Sequence, residues 1–268
     1  MTVGSMASRT SAARVRPSMA GVRVPVLVGT GVAAACAAGV AGLVDGVEEH
    51  ADLSSHDPGI TASVASLRRP LVTIVAELAS LVGSEACIAL LSLLVLGWMW
   101  FGLRDRVRAV LFAGAMGVGV VLTLAGKQLV ARHRPPAAYV VGPVDHGYSF
   151  PSGHTVFSTV FLGLVVLLLV WPGASRAIRA AAVVLAVAGS LLVGASRVYL
   201  GYHWSTDVVA GWVLGVGVLS LTVACATPLT ALATMMLTRT GLHPTATGED
   251  RAAADHDDVK GRHASPAR

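Results

Sequence analysis

The sequence predicts an all-α, polytopic membrane protein: six transmembrane helices, with an interfacial helix after the first span. Three observations lead there. Hydrophobic residues make up 54% of the 268 residues and charged residues 13%, with a mean hydropathy of +0.69, a balance that leaves too little polar surface for a soluble domain. The apolar residues gather into runs near the roughly 20 residues needed to cross hydrocarbon. The arginines cluster in short segments between those runs, a topological pattern, so the net charge of +5 is not a nucleic-acid footprint and no nucleic-acid partner is expected.

Each element follows in order. Residues 1–23 carry Arg9, Arg14, Arg16 and Arg23 without an acidic residue and form a basic cytoplasmic segment; Val24 to Val44 is the first span. A cleaved signal peptide is the competing reading, with small residues at Ala33 to Ala38, but the run is longer than an ordinary signal core. Residues 45–58 turn acidic and turn-rich, as expected of a solvated segment across the membrane. Gly59 to Ser84 holds Arg68, Arg69, Pro70 and Glu77, too charged and broken to span, and is expected as an interfacial helix on that outer side.

Ala86 to Leu103 is the second span and ends in the basic run Arg104 to Arg108, retained inside. Ala109 to Gly126 is the third, with Gly114, Gly117 and Gly119 as places of close backbone approach. After a polar connection over 127–153, Thr155 to Trp171 is the fourth span, followed by an inner loop with Arg176 and Arg179. Ala180 to Ala195 is the fifth. Val208 opens the sixth, with a Gly211/Gly215 packing pair and Pro228 as a kink or exit. The membrane domain is placed at 24–238 and the tail, 239–268, is expected to be disordered in the cytoplasm. Cys36, Cys87 and Cys225 lie in apolar runs without ligand spacing and read as packing residues.

This topology leaves Lys127, Arg132, Arg134 and Arg197 on the outer side, where the positive-inside rule does not explain them. They sit at span ends beside His154, His203 and Asp207, and one shared outward-facing pocket accounts for all seven. The residue types fit phosphate chemistry. Lys127 offers a point charge, and Arg134 and Arg197 offer planar forks for two oxygens at once. Ser152 and Gly153 lie where the fourth helix begins, so free backbone N–H groups point at the same anion.

Lys127 to Pro135 fits a lysine, six residues, then Arg-Pro. Pro151-Ser152-Gly153-His154 is a second signature, and Ser196-Arg197, five residues, His203, three residues, Asp207 is a third. With these three in order over roughly residues 85–227, the sequence resembles the type 2 phosphatidic-acid phosphatase superfamily, which includes vanadium haloperoxidases and glucose-6-phosphatase. The resemblance implies a membrane phosphatase in which His203 attacks phosphorus to give a phosphohistidine, Asp207 orients the imidazole, and His154 protonates the leaving oxygen. Lys127, Arg134, Ser152, Gly153 and Arg197 bind the phosphate; no metal and no cofactor is implied. The expected substrate is a lipid phosphate or diphosphate, with undecaprenyl diphosphate, phosphatidic acid and phosphatidylglycerol phosphate unranked. The expected place is a bacterial inner membrane, site outside and both termini inside.

Plainer readings compete. Taken singly, His203 beside Trp204 is an interfacial residue, Asp207 a helix cap, and Arg134-Pro135-Pro136 a basic turn; taken together, spacing and sidedness favour the site. Arg132 and His133 read as supporting or headgroup-facing. Tyr139, Asp145, His146 and Tyr148 read as a solvated loop, and Glu77 and Glu85 as interfacial residues. His50, His56, His243, His256 and His263 lack ligand spacing on a defined element. A phosphotransferase with an acceptor other than water, a vanadate-dependent oxidation enzyme and a non-catalytic lipid transporter on the same scaffold are the rival functions.

Overall fold

The computed structural model describes residues 19–239. Among the described residues there are eight α-helices: α1 Met19–Glu48, α2 Asp57–Ser66, α3 Pro70–Val82, α4 Glu85–Gly97, α5 Arg106–Val130, α6 Gly153–Leu164, α7 Arg176–Tyr199 and α8 Ser205–Arg239. A π-helical turn prolongs α4 through Trp98–Gly102 and another prolongs α6 through Val165–Val170. Among the described residues six helices are long and apolar enough to span a membrane. The protein is therefore a multi-pass, all-helical membrane protein, as predicted.

The spans overrun their apolar cores, because helix continues into the polar flanks once backbone hydrogen bonds are running. Thus α1 takes in Asp45 to Glu48, and α5 carries Lys127 in its last turn and stops at Ala131, whose φ of 47° is left-handed. Asp105 starts α5 by accepting a bond from the Arg108 amide at 3.0 Å. The expected single interfacial helix over 59–84 is two, α2 and α3. The break falls at Leu67–Arg69 because Pro70 suits the first turn of a helix and disfavours helical backbone just before it.

Five helices cross in alternation, so α4, α6 and α8 begin at the end of the bundle where α5 and α7 finish. The opposite half is filled by Met99, Phe112, Val160, Phe161, Leu164 and Leu168. Gly211 and Gly215 bear out the packing pair: a Cβ there would come within 2.8 and 2.7 Å of Thr155 and Thr159 on α6. The α5 glycines do not follow suit. Gly114 and Gly117 have no described neighbour within 4 Å of a built Cβ, and Gly119 meets only Val156 and Val160 in ordinary contact.

Cys36 and Cys87 are half-buried, but Cys225 is exposed and does not pack as expected. Residues up to Thr227 make one compact unit, and Pro228 begins another; the helix continues through Pro228 rather than ending there. The basic segment before Met19 and the tail from Thr240 lie outside the described residues.

Candidate active site

Four helix ends and two loops supply the polar side chains. Ser196 and Arg197 stand in the last turns of α7. The turn out of it is tight: the Tyr202 and His203 amides both donate to the Arg197 carbonyl, at 3.0 and 3.3 Å. Gly201 makes this possible with φ +80°, and a Cβ on it would lie 2.1 Å from the Tyr139 carbonyl. The turn delivers His203 just ahead of α8, where it is 2% exposed.

Asp207 lies in the first turn of α8, fully buried. Its Oδ2 accepts the Trp204 amide at 2.9 Å, a helix-capping bond, and stands 3.4 Å from His203 Nδ1. The oxygen that caps the helix is thus the one that faces the imidazole. At 3.4 Å the Nδ1 atom makes no hydrogen bond of ordinary geometry with any described residue, the loose arrangement common before a substrate tightens a site. On the other side of the ring Nε2 faces Arg134 Nη1, also at 3.4 Å. Burial pushes His203 down to about 4, against the nearby Asp207 carboxylate, which acts to raise it. The ring is neutral near pH 7, with Nε2 turned toward the cations.

The cations are held differently. Arg197 is 6% exposed, stacks on the Tyr202 ring at 4.1 Å and donates Nη1 to Ser80 Oγ of α3 at 2.5 Å. Its Nε is buried without a hydrogen-bond partner among the described residues. Arg134 is already engaged: Nε donates to the Gly147 carbonyl and Nη1 to the Tyr202 carbonyl, each at 2.8 Å, and Nη2 pairs with Asp145 at 2.6 Å. Burial lowers the Arg134 pKa, and Asp145 and Asp207 oppose that shift. Burial alone would raise the Asp145 carboxyl, yet the Gly147 amide and Arg134 hold it below its usual value. An ionised carboxylate therefore occupies part of the Arg134 fork.

Ser152 is fully buried ahead of α6. Its amide donates to the Asp207 carbonyl at 3.1 Å, tying the start of α6 to the start of α8. A Cβ on Gly153 would stand 2.9 Å from Glu85 Oε1, so Glu85 lies beside the start of α6, within electrostatic range of Arg134 and Arg197. Arg197, His203, Lys127 and Arg134 all lie within electrostatic range of the His154 ring. A cavity of about 520 Å³, lined by Lys127, His133, Arg134, Asp145, His146 and Tyr148, shares Lys127 and Arg134 with this group. A second, of about 550 Å³, shares His133 and Arg134 and runs past Val47, Pro58, Val130 and Trp204. Asp145, His146 and Tyr148 thus line a pocket instead of a merely solvated loop. No three His, Cys, Asp or Glu side chains cluster as metal ligands among the described residues.

Sequence reasoning missed the supports. Asp57, read as part of a solvated acidic segment, is 1% exposed and pairs with Arg132 at 2.8 Å. Arg132, read as supporting or headgroup-facing, has the contacts of a support: it bridges Asp57 to Asp207, which it meets at 2.6 Å. Arg68 donates to the Tyr139 and Tyr199 carbonyls, and Ser80 holds Arg197. The signal in each case is faint. Asp57 stands before a proline as helix-starting residues do, and nothing local points to a partner 149 residues on.

Residues 108–231 match the model of the PAP2 superfamily. Over 102 residues the chain is 37% identical to the undecaprenyl-diphosphatase of Sulfolobus acidocaldarius, a stretch that takes in 37% of this chain and 45% of that relative. The chain thus spans under half the length of the archaeal protein. Over 165 residues it is 28% identical to phosphatidylglycerophosphatase B of Bacillus subtilis, covering 61% of this chain and 79% of the relative. Among solved structures, the transmembrane PAP2-type phosphatidylglycerolphosphate phosphatase from Bacillus subtilis superposes with a TM-score of 0.65 at 24% identity, over 71% of this chain and 93% of that one.

Proposed function

We propose, from the match of residues 108–231 to the PAP2 superfamily model, that this chain is a membrane phosphatase that removes phosphate from a lipid phosphate or diphosphate through a phosphohistidine at His203. The observation that carries the reading is the setting of the His203 ring: Nδ1 faces Asp207 and Nε2 faces the arginine of the first signature, both at 3.4 Å. A buried, neutral imidazole with one nitrogen toward a carboxylate and the other toward a cluster of cations is arranged as a nucleophile for an anion.

The steps follow from the residues. Lys127, Arg134 and Arg197 neutralise the phosphoryl oxygens, and the Ser152 hydroxyl and the Gly153 amide at the start of α6 add donors, the Ser152 amide being taken by the Asp207 carbonyl. Nε2 of His203 bonds to phosphorus as the phosphorus–oxygen bond to the lipid breaks, and His154 gives its proton to the departing oxygen. Asp207 stabilises the positive imidazole. Water then attacks phosphorus, His154 takes the water proton, the phosphorus–nitrogen bond breaks and inorganic phosphate leaves. Three cationic side chains supply the charge neutralisation, so no metal enters the scheme.

The apolar lining at Val47, Pro58 and Val130, next to the anion pocket, supports a lipid substrate. Undecaprenyl diphosphate, phosphatidic acid and phosphatidylglycerol phosphate are the candidates, and the two curated relatives act, by name, on diphosphate and glycerophosphate lipids. The arginines at 104–108 and 176–179 stand at the end of the bundle away from the site; by the positive-inside rule that end is cytoplasmic, the site opens outward, and the segments before the first and after the sixth span lie inside. The test is phosphate release from the three lipids by detergent-purified protein in EDTA, beside His203→Ala. Release that the substitution abolishes is expected; no release from any of them sinks the phosphatase reading.

A further inference from the structure

Asp57 lies outside the three signatures and outside residues 108–231, yet its pairing leads straight to the nucleophile. Asp57 is the first residue of α2 and is 1% exposed. Both of its oxygens are saturated. Oδ1 accepts from Ser205 Oγ at 2.5 Å and from the Thr206 amide at 3.1 Å, while Oδ2 accepts from Arg132 Nη2 at 2.8 Å and from Thr206 Oγ1. Four donors on one carboxylate mark it as an ionised acceptor. Ser205 and Thr206 are the first residues of α8, so α2 is pinned to the turn that carries His203 and Asp207.

Arg132 continues the chain. Its Nη1 donates to Asp207 Oδ1 at 2.6 Å and to Thr206 Oγ1 at 2.7 Å, and its guanidinium lies over the Trp204 ring at 5.5 Å. A guanidinium bonded to Asp207 alone would cancel much of that carboxylate's charge just where His203 needs it. With Asp57 sharing the arginine, the trio keeps one net negative charge. The geometry fixes Asp207 with Oδ2 turned to the ring.

We propose that Asp57 is a positioning residue for the reaction: through Arg132 it fixes Asp207 and preserves the negative charge that Asp207 presents to His203. The role rests on the phosphatase reading above. It makes α2 a working part of the site rather than a membrane-surface ornament, and it explains why a carboxylate and a guanidinium are buried together.

The sign of the effect follows. Facing His203 are Asp207 of α8, Arg197 of α7, His154 of α6, and Arg134 and Asp145 of the loop before α6, with Arg132 and Asp57 behind Asp207. Asp57→Asn keeps the size and removes one negative charge from this set. The protonated ring is then less favoured, so His203 stays neutral to lower pH and the acidic limb of kcat/KM moves down. The positive charge that grows on the ring during attack is also less stabilised, so kcat falls roughly tenfold, the equivalent of one pH unit of imidazole basicity, with KM unchanged.

The experiment measures phosphate release from undecaprenyl diphosphate and phosphatidic acid by wild type, Asp57→Asn and His203→Ala, with the melting temperature of each and pH profiles of the first two. The expected result is the fall in kcat and the displaced limb in Asp57→Asn at unchanged KM. A wild-type kcat and limb in Asp57→Asn overturn the proposal, and so does a loss that follows only the folded fraction, with the limb unmoved. Where Asp57→Asn gives no folded protein, Arg132→Lys replaces it: one ammonium cannot bridge two carboxylates in the same way, kcat is expected to fall, and wild-type kcat overturns the role. A silent wild type overturns the phosphatase reading itself, which separates the two failures.

Discussion

Both ends of the helix bundle hold fully buried residues, but different forces hold them. At the far end Met99 and Leu164 are fully buried and Phe112 meets Phe161 edge to face, centroids 6.2 Å apart at 82°. The rim there carries Arg106 against Trp100 and Arg179 against Trp171, at 5.5 and 5.2 Å, as expected of residues at a membrane interface. At the site end the fully buried residues include Asp207 and Ser152, with His203 and Arg197 nearly so. Dispersion holds the first end, and any side chains of suitable volume would serve it. Directed bonds hold the second, where each donor needs its own acceptor and an unpaired group is costly. The difference teaches that burial alone does not mark the site; burial of polar groups does.

Substitutions at the two ends should separate stability from chemistry. The largest expected effect is at the far end, where Phe161→Ala removes the ring packed on Phe112 and costs about 3 kcal/mol of stability. It should lower the melting temperature of the purified protein and leave kcat per folded molecule intact; an equal loss of kcat would break the division of labour. Next comes Arg197→Lys at the site end. The charge survives, but the stack on Tyr202 and the planar fork do not, and kcat/KM should drop on the order of 10²-fold with little change in melting temperature. Full activity in that variant would remove Arg197 from the phosphate clamp.

The smallest effect is a displacement on the pH axis. An ordinary histidine titrates near 6.5, whereas burial brings His203 to about 4 in spite of Asp207. A nucleophile must be neutral, so activity that depends on it is present above the folded pKa and lost as pH falls through it. The acidic limb of kcat/KM should therefore lie well below pH 6.5, and a limb at the ordinary histidine value would show that the ring is less buried than described.

The far end was legible in the sequence because apolar runs state their own burial; each of the six predicted spans falls on a helix, and only the ends moved as helix ran on into Asp45 to Glu48 or past Lys127. The expectation that His203, Asp207, Lys127, Arg134, Arg197 and His154 share one pocket rested on fixed spacings, and they do lie within electrostatic reach of one another. What stayed hidden was long-range: Asp57, Ser80 and Arg68 sit in the segment between the first two signature-free spans, and their partners are 71 to 149 residues away. A segment's charge shows that it is polar, but only tertiary packing decides whether that charge meets water or an arginine. The two-helix break at Arg69-Pro70, by contrast, was written in the local sequence and was passed over.

The central claim is the covalent intermediate on His203. Its most direct measurement is rapid mixing of wild type and His154→Ala with undecaprenyl diphosphate labelled in its terminal phosphate, followed by an alkaline quench, proteolysis and mass spectrometry of the labelled peptide. The account predicts a phosphoryl group on the peptide that contains His203, longer-lived in His154→Ala because the second step has lost its base, and absent from His203→Ala. Phosphate release by the wild type with no phosphorylated His203 at any time point, or with the label on another residue, would contradict it.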